Sequence, residues 1–438
     1  MFRGGIKIIM HNLEKSLKIK QTMRANKIRR ANMDVKVFEV KIDESHLSEK
    51  RKRLIQDCFV QARWIYNYLI GCDKILDFKS SAKNINIKVF NPKTRKCDRI
   101  ENRILTIGSQ IKEGIFKRTL QNIINLSKAK SKGMRVGKLK FKKEINSIPL
   151  NQFGITYKIY GEKYIRIQGV GKLKVSGLGQ IKNCEFVNAA LIKKSSGYFI
   201  KLTYYKNKEK LIQKGTIGLD FGIKDSIINS EGNKFDWKFD TPKELRQKQQ
   251  KLSRKVIGSK NFIKQKKRVK KSYENLTNKK NDAANKFVSS LKKYEKVVIQ
   301  DENIKGWHAG LFGKTVQCSI LGRIKTKIKN LETSIVINRY LPTTKISPIN
   351  GKIIKIGLDE RTFRHLDYSE DRDVKSAKTI LCLGLYNPKL TRKELMGLPA
   401  EELAAVFSNY KFEINKLNPM KQEALAFLGE VAHGKIHR

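Results

Sequence analysis

The chain has 438 residues, of which 94 are Lys or Arg and 40 are Asp or Glu, so its formal charge at neutral pH is +54. An excess of this size requires a polyanionic partner, either a nucleic acid or an acidic membrane surface. No stretch approaches the roughly 18 apolar residues of a membrane-spanning helix, and the N-terminal segment is too short and too polar for a secretory signal. The sequence therefore predicts a nucleic-acid partner and no membrane.

The size of the charge favours a long nucleic acid. A small DNA-binding domain works with about 6–10 phosphate contacts, whereas a heteroduplex of about 20 base pairs carries on the order of 40 phosphates. The hydrophobic content of 39% is enough for packed cores, and the length predicts two or three domains. The six cysteines are scattered without a CxxC pair, which indicates neither a disulfide framework nor a zinc site and favours a reducing cytoplasm.

The N-terminal half predicts a β-rich domain interrupted by helices. Residues 1–33 form a basic arm that would order on RNA or DNA, although a solvated tail is an equally good interpretation. Residues 34–45 alternate like a strand, and residues 136–213 contain the short, Gly-punctuated runs of a small antiparallel barrel or sheet. Residues 46–135 lie between these parts and contain two helical patterns, one of them over residues 101–131. The apolar residues of the first pattern recur at three- and four-residue steps, namely Leu54, Cys58, Ala62, Ile65 and Leu69.

Residues 214–385 predict a second domain. Three short strands with tight turns are followed by a basic helical region over residues 241–294, in which one apolar stripe is expected to be buried. Its members are Val269, Tyr273, Leu276, Ala284, Phe287, Leu291 and Tyr294. An apolar strand, a helix at about residues 315–331, another strand and a last helix complete the order β-β-β-α-β-α-β-α of an RNase H-like fold. Residues 386–438 form a tail to which no chemistry is assigned.

The basic helical region offers candidates for phosphate contacts. A solvated helix face is an equally good interpretation of any single one of these side chains. The candidates are Lys251, Arg254, Lys260, Lys264, Lys267, Arg268 and Lys271, together with Arg323 from the following helix.

The first candidate catalytic acid is Asp220, which lies in the otherwise apolar strand Thr216–Gly222. A carboxylate in such a strand is costly unless it is paired or bound to a metal. Two-metal phosphodiester hydrolysis uses carboxylates on rigid elements, with one ion activating water and the other stabilising the leaving oxygen, and Mg²⁺ prefers such oxygen ligands. Asp225 is better explained as a turn residue.

The second candidate acid follows in the strand Val297–Ile304. Alternation along a strand places Gln300 and Glu302 on one face and Asp301 on the other. We favour Glu302, with Asp301 as the rival.

The third candidate acid lies in the segment SEDRDVKSA. Either aspartate could open the following helix, because Asp is a common N-cap. We assign the cap to Asp371 and the ligand role to Asp373, with Ala377 on the same helix face leaving room for a close approach to the sheet.

Three segments, GLDFGIKDS, QDENIKGW with LFGKTVQCSILGRIK, and EDRDVKSAK, resemble the RuvC-like nuclease motifs of TnpB. TnpB is the RNA-guided endonuclease of insertion sequences and a relative of compact type V CRISPR effectors. Upstream, ARWIYNYLI resembles its recognition-lobe helix and GKLKFKKEINSIPL its wedge domain. The resemblance implies a wedge domain at 34–45 and 136–213, a helical recognition lobe at 46–135, and a RuvC-like nuclease domain at 214–385.

The resemblance also implies roles and partners. Asp220, Glu302 and Asp373 fall on the catalytic positions that hold two Mg²⁺ ions, although a register two residues earlier would put Gln300 on the second position. A guide RNA and a double-stranded DNA target are the implied partners. The implied setting is the cytoplasm of a bacterium, with the protein encoded there or by a phage and associated with the nucleoid when bound to DNA. Nothing in the sequence indicates an oligomeric state.

One segment departs from TnpB, which usually carries a zinc ribbon with two CxxC pairs after a Pro-Thr/Ser-Thr/Ser-Lys stretch. In this chain the stretch is residues 342–345, but Ser347 and Asn350 stand where cysteines are expected, and residues 364–368 replace the second pair. One His and one Asp cannot complete a tetrahedral zinc site, so we expect no structural zinc in residues 342–368. Loss of the zinc ribbon could loosen substrate loading, mark an inactive copy, or be compensated by apolar packing of Ile349, Ile353, Ile354 and Phe363.

The leading hypothesis is an RNA-guided, Mg²⁺-dependent DNA endonuclease that cuts next to a short recognition motif. The alternative is a cleavage-deficient RNA-guided repressor or transposition regulator. A transposase or junction resolvase of the same fold would explain the acids but not the N-terminal half.

Overall fold

The computed structural model describes residues 17–18, 20–71, 75–90, 97–208, 211–223, 226–357, 359–366 and 368–416. The chain divides into two compact units, Met1–Glu209 and Lys210–Arg438. Most of the basic arm, the predicted turn residue Asp225, Asp367 of the degenerate ribbon, and the tail beyond residue 416 lie outside the described residues. Within those residues, no helix combines the length and the apolar character needed to cross a bilayer.

The described residues of the first unit form nine strands and two long helices after a helical stretch at residues 20–30. In chain order they are β1 (Met33–Ile42), α1 (Glu49–Gly71), β2 (Asn84–Phe90), β3 (Cys97–Ile104), α2 (Ser109–Ser131), β4 (Ser147–Leu150), β5 (Tyr157–Tyr160), β6 (Tyr164–Ile167), β7 (Gly171–Ser176), β8 (Glu185–Lys194) and β9 (Gly197–Asn207).

Seven of these strands form one antiparallel sheet in the order β4-β8-β9-β1-β7-β6-β5. The first strand thus pairs with strands that follow it by more than a hundred residues, and both long helices are inserted between them, as predicted. Of the apolar residues in the first helical pattern, Cys58, Ala62, Ile65 and Leu69 are buried, and Leu54 is only partly so.

The predicted helix over residues 101–131 begins too early. Residues 101–104 belong to β3, which pairs with β2 in a hairpin, and α2 starts only after Gly108. The local pattern of residues 101–131 could not show that residues 101–104 pair as a strand, because their partner β2 lies upstream of that segment.

The second unit has the strand order expected of an RNase H-like sheet. Its elements are β10 (Thr216–Phe221), β11 (Ile227–Asn229), β12 (Lys234–Phe235), α3 (Lys243–Ser253), α4 (Lys260–Ser290), β13 (Lys296–Gln300), α5 (Ile304–Ala309), α6 (Gly313–Cys318), α7 (Leu321–Ile328), β14 (Ser334–Ile337), β15 (Thr362–His365), β16 (Tyr368–Asp371), α8 (Arg372–Tyr386), α9 (Arg392–Gly397) and α10 (Ala400–Lys416).

The five-stranded sheet of this unit runs β12-β11-β10-β13-β14, with β10, β13 and β14 mutually parallel and β11 antiparallel to β10. The predicted α/β and β-rich multi-domain fold class is thereby confirmed. The predicted helix at 315–331 is in fact two helices, because the helical conformation is interrupted between Cys318 and Leu321.

The buried stripe predicted along α4 holds except at Tyr273 and at Leu276, which is only partly buried. Val269, Ala284 and Phe287 are buried, whereas Tyr273 is 45% exposed. The Tyr273 hydroxyl accepts a hydrogen bond from Gln249 of α3, which keeps this side chain at the edge of the helix pair. The prediction for Tyr273 was therefore wrong.

Candidate active site

Asp220 lies at the end of β10, between the buried Leu219 and Phe221, and keeps part of its side chain in contact with solvent. Its pKa is raised to about 7, chiefly because the carboxylate is desolvated and in addition because the negative charges of Asp373 and Glu302 lie nearby. Three carboxylates from distant parts of the sequence therefore share one electrostatic neighbourhood.

Glu302 reaches this neighbourhood from a turn, not from a strand. The strand β13 ends at Gln300, so the alternation used to separate Asp301 from Glu302 does not extend to either of them. The amide of Glu302 donates to the carbonyl of Gln300 at 2.9 Å. Burial raises the pKa of Glu302, and the charges of Lys325 and Arg339 act against that rise.

Asp301 serves a different purpose. Its carboxylate forms ion pairs with Lys325 at 2.7 Å, Lys329 at 2.5 Å and Arg339 at 2.9 Å. Burial alone would raise its pKa, but hydrogen bonds from these three cations hold the pKa well below its ordinary range. Asp301 is thus held in a cluster of three ion pairs. Of the two neighbouring acids, Glu302 is therefore the better candidate for a metal ligand.

The two aspartates of the third motif also have different roles, which the start of helix α8 sets. Asp371 is the N-cap, accepting hydrogen bonds from the amides of Asp373 at 2.9 Å and Val374 at 3.2 Å. This assignment of the cap is confirmed. Asp373 lies in the first turn, where its carboxylate contacts Arg361 at 3.5 Å and Arg372 at 3.4 Å.

The carboxylates suit Mg²⁺ in chemical kind, because they offer only hard oxygen atoms. Part of the rise in the pKa of Asp220, after the larger effect of desolvation, comes from the negative charges of Asp373 and Glu302, and a bound cation would relieve that repulsion. In the side-chain arrangement of the described segments, however, no group of three His, Cys, Asp or Glu residues is positioned to hold a metal ion. Joint binding by Asp220, Glu302 and Asp373 requires Asp373 to release its two arginines.

The degenerate ribbon is held together without cysteines. Ser347 is fully buried and its hydroxyl lies 3.0 Å from Nδ1 of His365. Phe363 is also fully buried, with the ammonium of Lys375 4.2 Å above its ring. The expected compensation by apolar packing is therefore right for Phe363.

The same expectation is wrong for Ile349 and Ile353, which are 41% and 40% exposed. Both lie in the short turn around the Ile346–Ile353 bridge. Ile346 is the fully buried side of that bridge, so the turn is anchored through Ile346 while its outer isoleucines stay in solvent.

All seven basic candidates between residues 251 and 271 are exposed. Arg323 differs, because it is half-buried and its guanidinium donates to the Asn281 side chain. Sequence reasoning missed the buried polar residues Thr343 and Ser376, and it considered Gln300 only as a rival for the second catalytic position.

One family model matches part of the chain. Residues 199–308 match the model of the family OrfB_IS605, described as a probable transposase. This segment is therefore similar to that family. It contains the first two candidate acids of the TnpB-like motifs, Asp220 and Glu302, while Asp373 lies downstream of it.

Other comparisons are more distant. No curated protein matches the chain. Among solved structures, the cryo-EM structure of a Cas12f1-sgRNA-target DNA complex matches with a TM-score of 0.44 and 12% sequence identity, covering 80% of this chain and 99% of that chain.

Proposed function

We propose that the protein is an RNA-guided DNA endonuclease of the TnpB type that cleaves DNA next to a short recognition motif. The observation that carries the proposal is that Asp220 lies near enough to Asp373 and Glu302 for their negative charges to contribute, after desolvation, to its raised pKa. These acids come from β10, from the turn after β13 and from the first turn of α8, in a chain that otherwise carries a large positive charge.

In this proposal Asp220, Glu302 and Asp373 hold divalent metal, with Mg²⁺ as the expected ion. The bound ions would polarise the attacking water and stabilise the leaving oxygen. The residues of the chain prepare the ligands: Asp220 must be ionised to bind, Lys325 and Arg339 moderate the charge at Glu302, and the helix start at Asp371 fixes the backbone from which Asp373 projects.

The guide RNA is assigned to the basic faces of α3 and α4 and to the wedge-like sheet. The exposed lysines and arginines from residue 251 to residue 271 would contact phosphates, which position a nucleic acid without reading its sequence. Pairing between guide and target would then supply most of the sequence specificity.

A second candidate is a cleavage-deficient, RNA-guided repressor or transposition regulator. Its support is that Arg361 and Arg372 both engage Asp373. If those contacts persist on the nucleic acid, the third ligand stays withdrawn and the protein binds without cutting.

Two experiments separate these functions. The protein is first purified from cells that also express its genomic flanks, and the copurifying RNA is sequenced; a discrete RNA is expected, and none would refute guidance. The complex is then assayed with Mg²⁺ on a plasmid library with randomised flanks, using Asp220→Ala as the test variant. Asp282→Asn is the matched control, because Asp282 lies on the exposed surface of α4, where it pairs with Lys286 at 3.1 Å. Cleavage that survives Asp220→Ala would refute the site, and binding without cleavage by the unmodified chain would establish the repressor.

A further inference from the structure

One loop contacts both of the elements that carry the second and third candidate acids. The loop follows β14 and spans residues 338–343. Gln300, the last residue of β13, is buried, and its side-chain nitrogen donates to the loop carbonyls of Asn338 at 3.1 Å and Leu341 at 2.8 Å. Both hydrogens of this amide are thereby used. Its oxygen accepts a hydrogen bond from the hydroxyl of Thr343, in the same loop, at 3.1 Å.

The same threonine contacts the start of α8. Its hydroxyl lies 3.1 Å from the hydroxyl of Ser376, which is fully buried. A hydroxyl has a single hydrogen to donate. Because Thr343 donates its hydrogen to Gln300, Ser376 is the donor in the contact with Thr343. The end of β13 and the start of α8 are therefore joined by directed hydrogen bonds through one buried side chain.

A neighbouring lysine of α8 adds a second connection to this loop. The ammonium of Lys375 donates to the backbone carbonyl of Thr343 at 3.1 Å and lies 4.2 Å from the ring centre of Phe363 in β15. Lys375, Thr343 and Phe363 are all buried. Buried polar networks whose members all have partners favour one arrangement of the elements that they join. The loop is thus tied to α8 through its backbone as well as through a side chain.

These contacts lie close in sequence to two of the candidate acids. Glu302 follows Gln300 by two residues, and Asp373 precedes Lys375 by two residues. We propose that Thr343 is a positioning residue that holds the turn of Glu302 against the start of α8, from which Asp373 projects. The inference rests on the proposed function, because it gives the spacing of these two acids a role in cleavage. A misplacement of about 1 Å that originates far from the chemistry can cost a factor of about 100 in rate.

The variants Thr343→Val and Thr343→Ser test the role of the hydroxyl. Valine keeps the shape of threonine but removes the hydroxyl, which leaves the buried oxygen of Gln300 without this donor. Serine keeps the hydroxyl and removes a methyl group. Thr379→Val is the matched control, because the hydroxyl of Thr379 is also buried but donates to the Lys375 carbonyl within α8 at 2.9 Å.

Hydrogen exchange of the full chain in EDTA tests the positioning without metal, nucleic acid or cleavage. We expect Thr343→Val to speed amide exchange about 2–10-fold both at residues 301–304 and at residues 372–376. Thr343→Ser and Thr379→Val should leave both segments near the rate of the unmodified chain. Faster exchange at only one of the two segments, or at neither, would overturn the inference. Equal acceleration by the valine and serine variants at position 343 would overturn it as well.

Cleavage by the complex with its copurified RNA supplies the functional readout. We expect the single-turnover rate of Thr343→Val to fall about tenfold or more, with an unchanged dissociation constant for the target DNA, and Thr343→Ser to recover most of the rate. A rate that falls only in proportion to target binding would contradict a positioning role. If the unmodified complex does not cleave, the proposed function fails, and exchange at the two segments still decides whether Thr343 holds them together.

Discussion

The carbonyl oxygen of Ala377 lies so close to Gly218 that a Cβ added to the glycine would meet it at 2.2 Å. The same Cβ would lie 2.8 Å from Cβ of Leu381. Gly218 therefore lets α8 approach β10 along its backbone. This approach brings the start of α8, with Asp373, beside the end of β10, with Asp220.

Replacing Gly218 by Ala should separate these two elements. The backbone oxygen of Ala377 cannot move as a flexible side chain could, so we expect a loss of about 1–3 kcal/mol in the free energy of unfolding and a large loss of cleavage. Gly397→Ala is the control, because a Cβ there meets nothing within 4 Å. Thermal unfolding of both variants provides the measurement, and an unchanged Tm for Gly218→Ala would contradict the packing argument.

The neighbouring acids Asp301 and Glu302 should respond in opposite ways to loss of charge. Asp301→Asn weakens three ion pairs, so we expect it to lower the free energy of unfolding by about 1–3 kcal/mol. Because the pKa of Asp301 is held below its unfolded value, this stabilisation is complete above the unfolded pKa of about 4 and is lost as the pH falls. The difference in Tm between the unmodified chain and Asp301→Asn should therefore be largest near neutral pH and shrink below about pH 4.

Glu302→Gln should produce the complementary result. It removes a charge whose pKa burial has already raised, so the Tm should stay unchanged or rise while cleavage is lost. Equal loss of stability in Asp301→Asn and Glu302→Gln would contradict the assignment of a structural role to Asp301 and a catalytic role to Glu302.

The pKa of Asp220 predicts how metal binding depends on pH. The folded pKa of about 7 lies above the ordinary 3.8, so the metal-free fold holds an extra proton between these values and loses stability as the pH rises through this window. Metal must displace that proton. Calorimetry should show Mg²⁺ affinity rising up to about tenfold per pH unit below pH 7 and levelling above it. An affinity that is the same at pH 6 and pH 8 would contradict the assignment of Asp220 as a ligand.

Some of this arrangement could be predicted from the sequence because its signals are local. An acid in an apolar strand marked Asp220, and the N-cap preference of Asp predicted that one of Asp371 and Asp373 begins the following helix. The order of strands and helices also followed from local periodicity, and it sufficed to predict an RNase H-like sheet.

The remaining features depend on partners that are distant in sequence. The cations that occupy Asp301 come from α7 and from the end of β14, so no pattern around residues 300–302 could reveal them. The hydrogen bond from Arg323 to Asn281 could not be foreseen either, because the two residues lie 42 positions apart in the sequence. The hydrogen bonds from Gln300 to Ser376 cross three elements, and each residue looks unremarkable in its own segment.

Phosphate contacts by the basic helix α4 can be tested through the salt dependence of RNA binding. The exposed Lys264, Lys267 and Lys271 are replaced together by Gln. If each contacts a phosphate, the slope of log affinity against log salt should become shallower by about 0.7–0.9 per lysine. The control replaces three exposed basic residues of the C-terminal region with Gln, namely Lys389, Arg392 and Lys393. Filter binding of the copurified RNA at several salt concentrations provides the slopes, and equal slopes for the two triple variants would remove α4 from the RNA site.

The degenerate ribbon should depend on packing and not on metal. Ser347 and His365 lie where a zinc site would draw its ligands together, yet they are joined by one hydrogen bond, and the buried Phe363 fills the adjoining core. Loss of the hydroxyl in Ser347→Ala should cost about 0.5–1.5 kcal/mol, whereas Phe363→Ala should cost about 3–5 kcal/mol. A zinc chelator should leave the Tm of the unmodified chain unchanged, since no metal is expected to contribute to the folding of this segment. Atomic absorption that finds one zinc per chain, or a chelator effect as large as that of Phe363→Ala, would show instead that this segment still folds around a metal.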